Sequence, residues 1–162
     1  MVNLFGFLRK KTSGRAHRPA ASPRGEQAGL APHQKTGRAG ERAAERFLKR
    51  RGYRILARNV SYRQGEVDLV ALDKRSGALC FVEVRSRAGA DPLVSPEESV
   101  TLRKRRRIVS AARKFIADRS RGAGSDCPAR FDIVAVRFAD SDRKHPEISH
   151  YPAAFDATGV LT

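Results

Sequence analysis

The stretch at residues 65–85 decides the fold. It reads Gly65-Glu66-Val67-Asp68-Leu69-Val70-Ala71-Leu72, a polar turn Asp73-Lys74-Arg75-Ser76-Gly77, then Ala78-Leu79-Cys80-Phe81-Val82-Glu83-Val84-Arg85. Two short runs rich in β-branched and aromatic residues, joined by a turn ending in glycine, predict a β-hairpin. Its charges fall where a strand normally carries Val or Ile: Asp68 lies inside the first run and Glu83 inside the second. A buried, unpaired carboxylate costs several kcal/mol, so positive groups are expected to meet both side chains. Strand side chains alternate, which puts Leu79, Phe81, Glu83 and Arg85 on one face. For Glu83 and Arg85 alone, a salt bridge on an exposed edge is a sufficient account. An acid on each strand, a Glu-x-basic triplet and strong positive charge around them together describe something else. They make a hard-cation site with oxygen ligands, the arrangement that holds Mg²⁺ or Mn²⁺ against a phosphate.

The chain has 162 residues, enough for one domain with a real core. Its hydrophobic content of 40% is somewhat low, which implies that part of the chain does not fold. A formal charge of +16 and a pI near 11.1 point to a polyanionic partner, nucleic acid before membrane. Ribosomal or chromatin-type binding produces the same balance, so charge alone does not establish catalysis. The two cysteines have no metal-ligand spacing: Cys80 is a small core residue of a strand and Cys127 belongs to a loop. A reduced, cytoplasmic protein is the expectation. Nothing approaches a membrane span. The apolar start Val2-Asn3-Leu4-Phe5-Gly6-Phe7-Leu8 is too short for a signal peptide, and its positive charges follow it. Residues 1–36 mix prolines and glycines with seven basic residues and one acid, a disorder composition carrying +6. Such a basic tail can add phosphate contacts or serve as a solvated extension. The folded domain is expected to span residues 37–162.

Within it, Ala43, Ala44, Phe47 and Leu48 recur at helical spacing and Gly52 follows, predicting an amphipathic helix over residues 38–51. Glu41 borders the apolar stripe, and on periodicity alone it is a surface residue. Residues 53–60 read as a strand and 61–65 as a tight connection. After the hairpin, residues 86–94 read as a loop. Ser95-Pro96-Glu97-Glu98 forms a capping box. Thr101 can restart the helix, giving a short turn before a long helix that runs to about Arg119. The run Arg103-Lys104-Arg105-Arg106-Arg107 sweeps more than one helical turn, so it cannot all lie on one solvated face. Stepping back by fours from Ala112 reaches Ile108 and then Lys104, which should therefore point toward the sheet. Arg103, Arg105, Arg106 and Arg107 spread over the other faces, within reach of phosphates. Residues 131–138 form a nearly continuous apolar run, as in a central strand covered on both sides. Asp132 interrupts it beside Arg130, most simply as a structural ion pair. Residues 147–151 are a candidate edge strand, with Ala153, Ala154 and Phe155 packing the end down, and the four histidines show no metal spacing.

The order helix, three strands, helix, strand resembles the PD-(D/E)XK nuclease superfamily, an α/β, restriction-endonuclease-like mixed sheet flanked by helices. Gly40-Glu41, Gly65-Glu66-Val67-Asp68, Phe81-Val82-Glu83-Val84-Arg85-Ser86-Arg87, Lys104 and Arg130-Phe131-Asp132 resemble, in order, the motifs of the bacterial YraN family, which is described as similar to archaeal Holliday junction resolvases. The resemblance covers roughly residues 37–156. It implies that Asp68 is the central metal-binding acid, Glu83 the acid of the (D/E)-x-K triplet, and Glu41 the helix-borne acid that completes the site. Glu66 matches a family motif without a chemical role. The sequence departs at Arg85, where the superfamily has Lys. Arginine effectively never loses its proton, so Arg85 can stabilise phosphate charge but cannot be a general base. The implied function is a Mg²⁺- or Mn²⁺-dependent endonuclease acting on DNA before RNA, branched or junction-like DNA included. Asp68 and Glu83, with Glu41, would hold the metal, and Arg85 and Lys104 would neutralise the transition state. Arg87, Arg103, Arg105, Arg106 and Arg107 would contact nucleic acid. Analogy with resolvases adds a homodimer. The competing readings are a non-catalytic nucleic-acid-binding module on the same fold and a basic RNA- or ribosome-associated factor.

Overall fold

A computed structural model of the chain describes residues 32–89, 100–119, 128–139 and 144–162. In order, the elements are helix α1 (Pro32–Arg50), strands β1 (Tyr53–Tyr62), β2 (Gly65–Asp73) and β3 (Leu79–Ala88), helix α2 (Leu102–Arg119), and strands β4 (Ala129–Phe138) and β5 (Glu147–Phe155). They make the expected mixed α/β architecture, one five-stranded sheet in the order β1-β2-β3-β4-β5. All neighbours are antiparallel except β3 and β4, which run parallel. A parallel pair needs a crossover connection, and α2 lies in it.

The hairpin forms as its sequence predicts. Its turn is built by Asp73, whose carboxylate accepts from the Arg75 amide and the Ser76 hydroxyl, both at 2.9 Å. Gly77 supplies the positive φ of 73° that closes the turn, a conformation in which a Cβ would be strained.

Alternation along the strands creates two cores, one on each side of the sheet. On the α2 side, Val70, Phe81, Phe131 and Phe155 meet Ile108, Ala112 and Phe115. Four of these rings form a continuous row, Phe115 edge-on to Phe81 at 5.8 Å, then Phe81 over Phe131 at 5.8 Å and Phe131 over Phe155 at 5.2 Å. On the α1 side, Leu69, Cys80, Val82, Val134 and Val136 meet Ala43, Ala44 and Leu48. Each such side chain contributes about 1.5–3 kcal/mol when fully buried. Cys80 is one of these core residues, and burial pushes its thiol up to about 12.

Several boundaries differ from the expectations. Helix α1 starts at Pro32 rather than near Gly37, so residues 32–36 belong to the domain and not to a tail. Proline is tolerated in a first helical turn, where its missing N–H has no partner to lose, and its presence there does not signal disorder. Strand β3 continues through Ser86 and Arg87 to Ala88, paired with β4 along its whole length, where a loop was expected. Strand β5 extends to Phe155. The start of α2 is at Thr101, whose Oγ1 accepts the Lys104 amide at 3.3 Å. The basic tail up to residue 31, the Ser95–Glu98 capping box and Cys127 lie outside the described residues. No described helix is long and apolar enough to cross a membrane.

Asp132 is the structural acid that its place beside Arg130 suggests. Arg130 grips both of its oxygens, at 2.8 and 3.0 Å, and extends to Tyr53 Oη at 2.8 Å. His150 Nε2 lies 3.0 Å from Oδ2, and the Ala153 amide donates to Oδ1 at 3.0 Å. This network ties β1, β4 and β5 together on the α1 side.

Candidate active site

The two hairpin acids are brought side by side by strand register. Leu69 pairs with Val82, so the next positions outward are Asp68 and Glu83. There the ladder gives way, and Asp68 Oδ2 accepts the Val84 amide at 2.7 Å in place of a backbone carbonyl. Alternation turns Glu83 toward the α2 side with Phe81, whereas on β2 the period breaks at Asp68, since Val67 and Val70 both pack on the α2 side and Leu69 on the α1 side. Lys104 approaches from α2, as its place in line with Ile108 and Ala112 predicts. Its Nζ lies 2.6 Å from Glu83 Oε1 and 4.0 Å from Glu66 Oε1. Arg85 Nη1 lies 3.9 Å from Glu83 Oε1, with the Arg85 side chain 41% exposed.

Glu83 is only 1% exposed. Lys104 meets Oε1, while Oε2 of Glu83 has no donor among the described residues. Burial and then the adjacent Asp68 charge push the Glu83 carboxyl up to about 7, against the pull of Lys104 and Arg85. Asp68 is raised for the same first reason, burial, which outweighs the Val84 amide and the Lys104 charge. Asp68 and Glu83 are thus two neighbouring carboxyls, each raised by burial and each close enough to feel the other's charge or that of Lys104.

Glu41 reaches this cluster from the other side of the sheet. The pairs Arg58↔Leu69 and Val60↔Val67 place Asn59 across from Asp68. Asn59 has a positive φ of 48°, a left-handed conformation that asparagine tolerates better than most residues. Its side chain hydrogen-bonds Glu41, whose carboxyl is raised by burial and by the Asp68 charge. Helix α1 comes this close because Gly40 lacks a side chain, since a Cβ there would sit 2.4 Å from Ser86 Cβ. Glu41 is thus half-buried and part of the acid cluster, not the surface residue that helix periodicity alone suggests. It does not, however, close a three-acid cage. Among the described residues, no three His, Cys, Asp or Glu side chains form a group that could hold a metal ion.

A family model described as "Uncharacterised protein family UPF0102" matches residues 40–136, a span that contains every one of these groups. The chain belongs to UPF0102, the YraN family. Relatives carrying the name UPF0102 protein include one from Anaeromyxobacter dehalogenans, 46% identical over 127 residues, covering 78% of this chain and 87% of the relative. Another, from Trichlorobacter lovleyi, is 42% identical over 124 residues, with 76% and 92% covered. A third, from Chlorobium phaeobacteroides, is 35% identical over 130 residues, with 78% and 96% covered.

In this UPF0102 chain the basic residues around the acids divide into two groups. Arg87, Arg103, Arg106 and Arg107 are exposed, as a phosphate-contacting role requires. Arg105 is not: it is 8% exposed, and its Nε and Nη1 are buried without a partner among the described residues. The packed stripe of α2 includes Val109 as well as Ile108 and Ala112, which makes it wide enough to take in Arg105 four residues earlier. Gly159 of the C-terminal turn covers it, close enough that an added Cβ would meet Arg105 Cβ at 3.5 Å. Arg105 is therefore not one of the exposed basic residues, contrary to the expectation that it reaches phosphates. Asn59 is the residue that sequence reasoning missed, because an Asn near a strand end carries no signal of a positive φ or of a partner on a distant helix.

Proposed function

We propose that this UPF0102 chain is a metal-dependent nuclease, hydrolysing phosphodiester bonds of DNA in preference to RNA. The carrying observation is Glu83, a buried carboxylate beside Asp68 with Lys104 on one oxygen and no donor among the described residues on the other. Hard oxygen donors of this kind suit Mg²⁺ or Mn²⁺, which are commonly held by one or two carboxylates completed by substrate phosphate oxygens rather than by an all-protein cage. Asp68 and Glu83 would hold the ion. When bound, it supplies Lewis-acid polarisation of the phosphate and a more acidic water.

The chain's own residues do the remaining work. Arg85 is too firmly protonated to accept a proton, and its exposed guanidinium offers two parallel donors to phosphate oxygens as negative charge builds on them. Lys104 adds a second cation on the α2 side of the acids. Glu41, held by Asn59, keeps a third acid behind Asp68 and outside the immediate pair. Arg87, Arg103, Arg106 and Arg107 position the backbone of the nucleic acid without reading its sequence.

One observation favours a second reading. Lys104 already compensates Glu83 at 2.6 Å, so the fold persists without a metal and could serve as a binding module that does not cleave. The two readings separate when purified protein is incubated with labelled duplex, single-stranded, flap and four-way-junction DNA, and with matching RNA, in Mg²⁺, Mn²⁺ or EDTA. The nuclease cleaves DNA only with metal, and Asp68→Asn abolishes cleavage while leaving binding in EDTA intact. A binding module cleaves nothing, and Asp68→Asn improves its binding because a negative charge facing phosphate is removed. Absence of Mn²⁺ binding at millimolar metal, with or without DNA, would sink the nuclease mechanism.

A further inference from the structure

Glu66 is the motif acid that takes no part in the chemistry above. It is exposed, 62% by side chain, and two residues before Asp68 on β2. Its position is set by Gly65. An added Cβ at Gly65 would lie 2.2 Å from the Arg107 carbonyl oxygen, so only glycine lets the start of β2 tuck against α2 there. That approach carries Glu66 to Lys104, one turn back along the helix. A single ammonium thus lies between two carboxylates, 2.6 Å from buried Glu83 and 4.0 Å from exposed Glu66.

Lysine is a point charge on a flexible four-carbon stem, and a displacement of a few ångström is enough to exchange one partner for the other. A divalent cation entering beside Asp68 and Glu83 would repel that ammonium strongly in so buried a place. Lys104 then has to leave Glu83, and Glu66 is the acid within reach. We propose that Glu66 is a positioning residue that receives the Lys104 ammonium when Glu83 is given over to a divalent cation, so that the site exchanges an internal cation for an external one. This inference rests on the metal-binding reading of Asp68 and Glu83. It assigns Glu66 no contact with the metal and gives Lys104 two stations, one in the metal-free site and one beside the loaded site.

The test is a double-mutant cycle on the full chain, read by calorimetric titration with Mn²⁺ alone and requiring no cleavage. Removing the competing ammonium by Lys104→Met should tighten Mn²⁺ binding. Glu66→Gln should weaken it on the order of tenfold in the wild-type background, because Lys104 then has nowhere to go, and change it by less than about twofold in the Lys104→Met background. Lys104→Gln, which keeps an N–H donor for Glu83, completes the same cycle where the methionine variant has no cooperative melting transition. Equal weakening by Glu66→Gln in both backgrounds would overturn the inference, since Glu66 would then act on the metal directly. No effect in the wild-type background would overturn it too. Failure of both the wild type and Lys104→Met to bind Mn²⁺ would instead remove the metal reading, and this inference with it.

Discussion

Asp132 and Glu83 are both almost wholly buried carboxylates, yet the fold treats them in opposite ways. Burial pushes each toward the neutral form. For Asp132 that push is outweighed by His150, by the two-pronged Arg130 contact and by the Ala153 amide, so its carboxyl lies below the ordinary value. For Glu83 no such set of donors exists and the value stays raised. The fully bonded acid carries a lowered value and the partly bonded one a raised value, a distinction that residue type alone does not carry. The sign of the pH effect for Asp132 follows from the lowered folded value. Its contribution to stability is present above the unfolded value of about 3.8 and disappears as pH falls through the folded one. Asp132→Asn leaves Arg130 with only its longer ion pair to Asp73, 3.4 Å from Nη1, and should cost about 2–4 kcal/mol at pH 7. Urea unfolding followed by circular dichroism should show that gap in full at pH 7 and a smaller one at pH 3, below the unfolded value of about 3.8, where protonation of the unfolded chain has begun to remove the contribution. An equal gap at both pH values would mean that packing, not charge, is what Asp132 supplies.

The close approach of α1 to β3 rests on one missing methyl group. A Cβ at Gly40 would be 2.4 Å from Ser86 Cβ and 2.7 Å from its Oγ, but an ordinary 3.7 Å from Ser86 Cα. Gly40→Ala should therefore destabilise the fold by about 1–3 kcal/mol and lift Glu41 away from Asn59. Ser86→Gly in the same chain should recover most of the loss, less about 0.5–1 kcal/mol for a glycine inside a strand. Melting curves of the two single variants and the pair would show this as strong non-additivity, and additive losses would rule out the clash. At this scale the sequence was legible wherever one period governed a segment. The hairpin, the inward turn of Lys104, the central strand β4 and the pairing of Asp132 all follow from alternation or from steps of four. It was not legible where two elements define a feature jointly. Arg105 looks like part of a basic run until Gly159 is folded over it, and Asn59 looks like an ordinary strand residue until β2 and α1 are both in place. The start of α1 was hidden for a different reason, since Pro32 and Gly37 lower helix propensity locally although a proline in the first turn costs the helix no hydrogen bond.

Charge is the property of the whole molecule that most constrains a partner. With +16 on 162 residues and Arg87, Arg103, Arg106 and Arg107 exposed, the proposed nucleic-acid partner would meet a strongly cationic surface. If roughly six phosphates are neutralised, affinity should fall on the order of 10³-fold or more between 50 and 200 mM salt. The structure also sets where a truncation should be made. Cutting after residue 36 would remove the first turn of α1, whereas cutting after residue 31 leaves the helix whole and still removes six basic residues, Arg9, Lys10, Lys11, Arg15, Arg18 and Arg24, with one acid, Glu26. The chain lacking residues 1–31 should keep its cooperative melting transition, because among the described residues none of the core side chains precedes Ala39. Its binding to duplex DNA should show a shallower dependence on salt, by about 0.9 in the logarithmic slope for each phosphate that the shortened chain no longer neutralises. Fluorescence anisotropy across that salt range, with both proteins on the same labelled duplex, gives the two slopes directly. Parallel lines would show that the amino-terminal basic residues neutralise no phosphates and that the folded face supplies all of the binding.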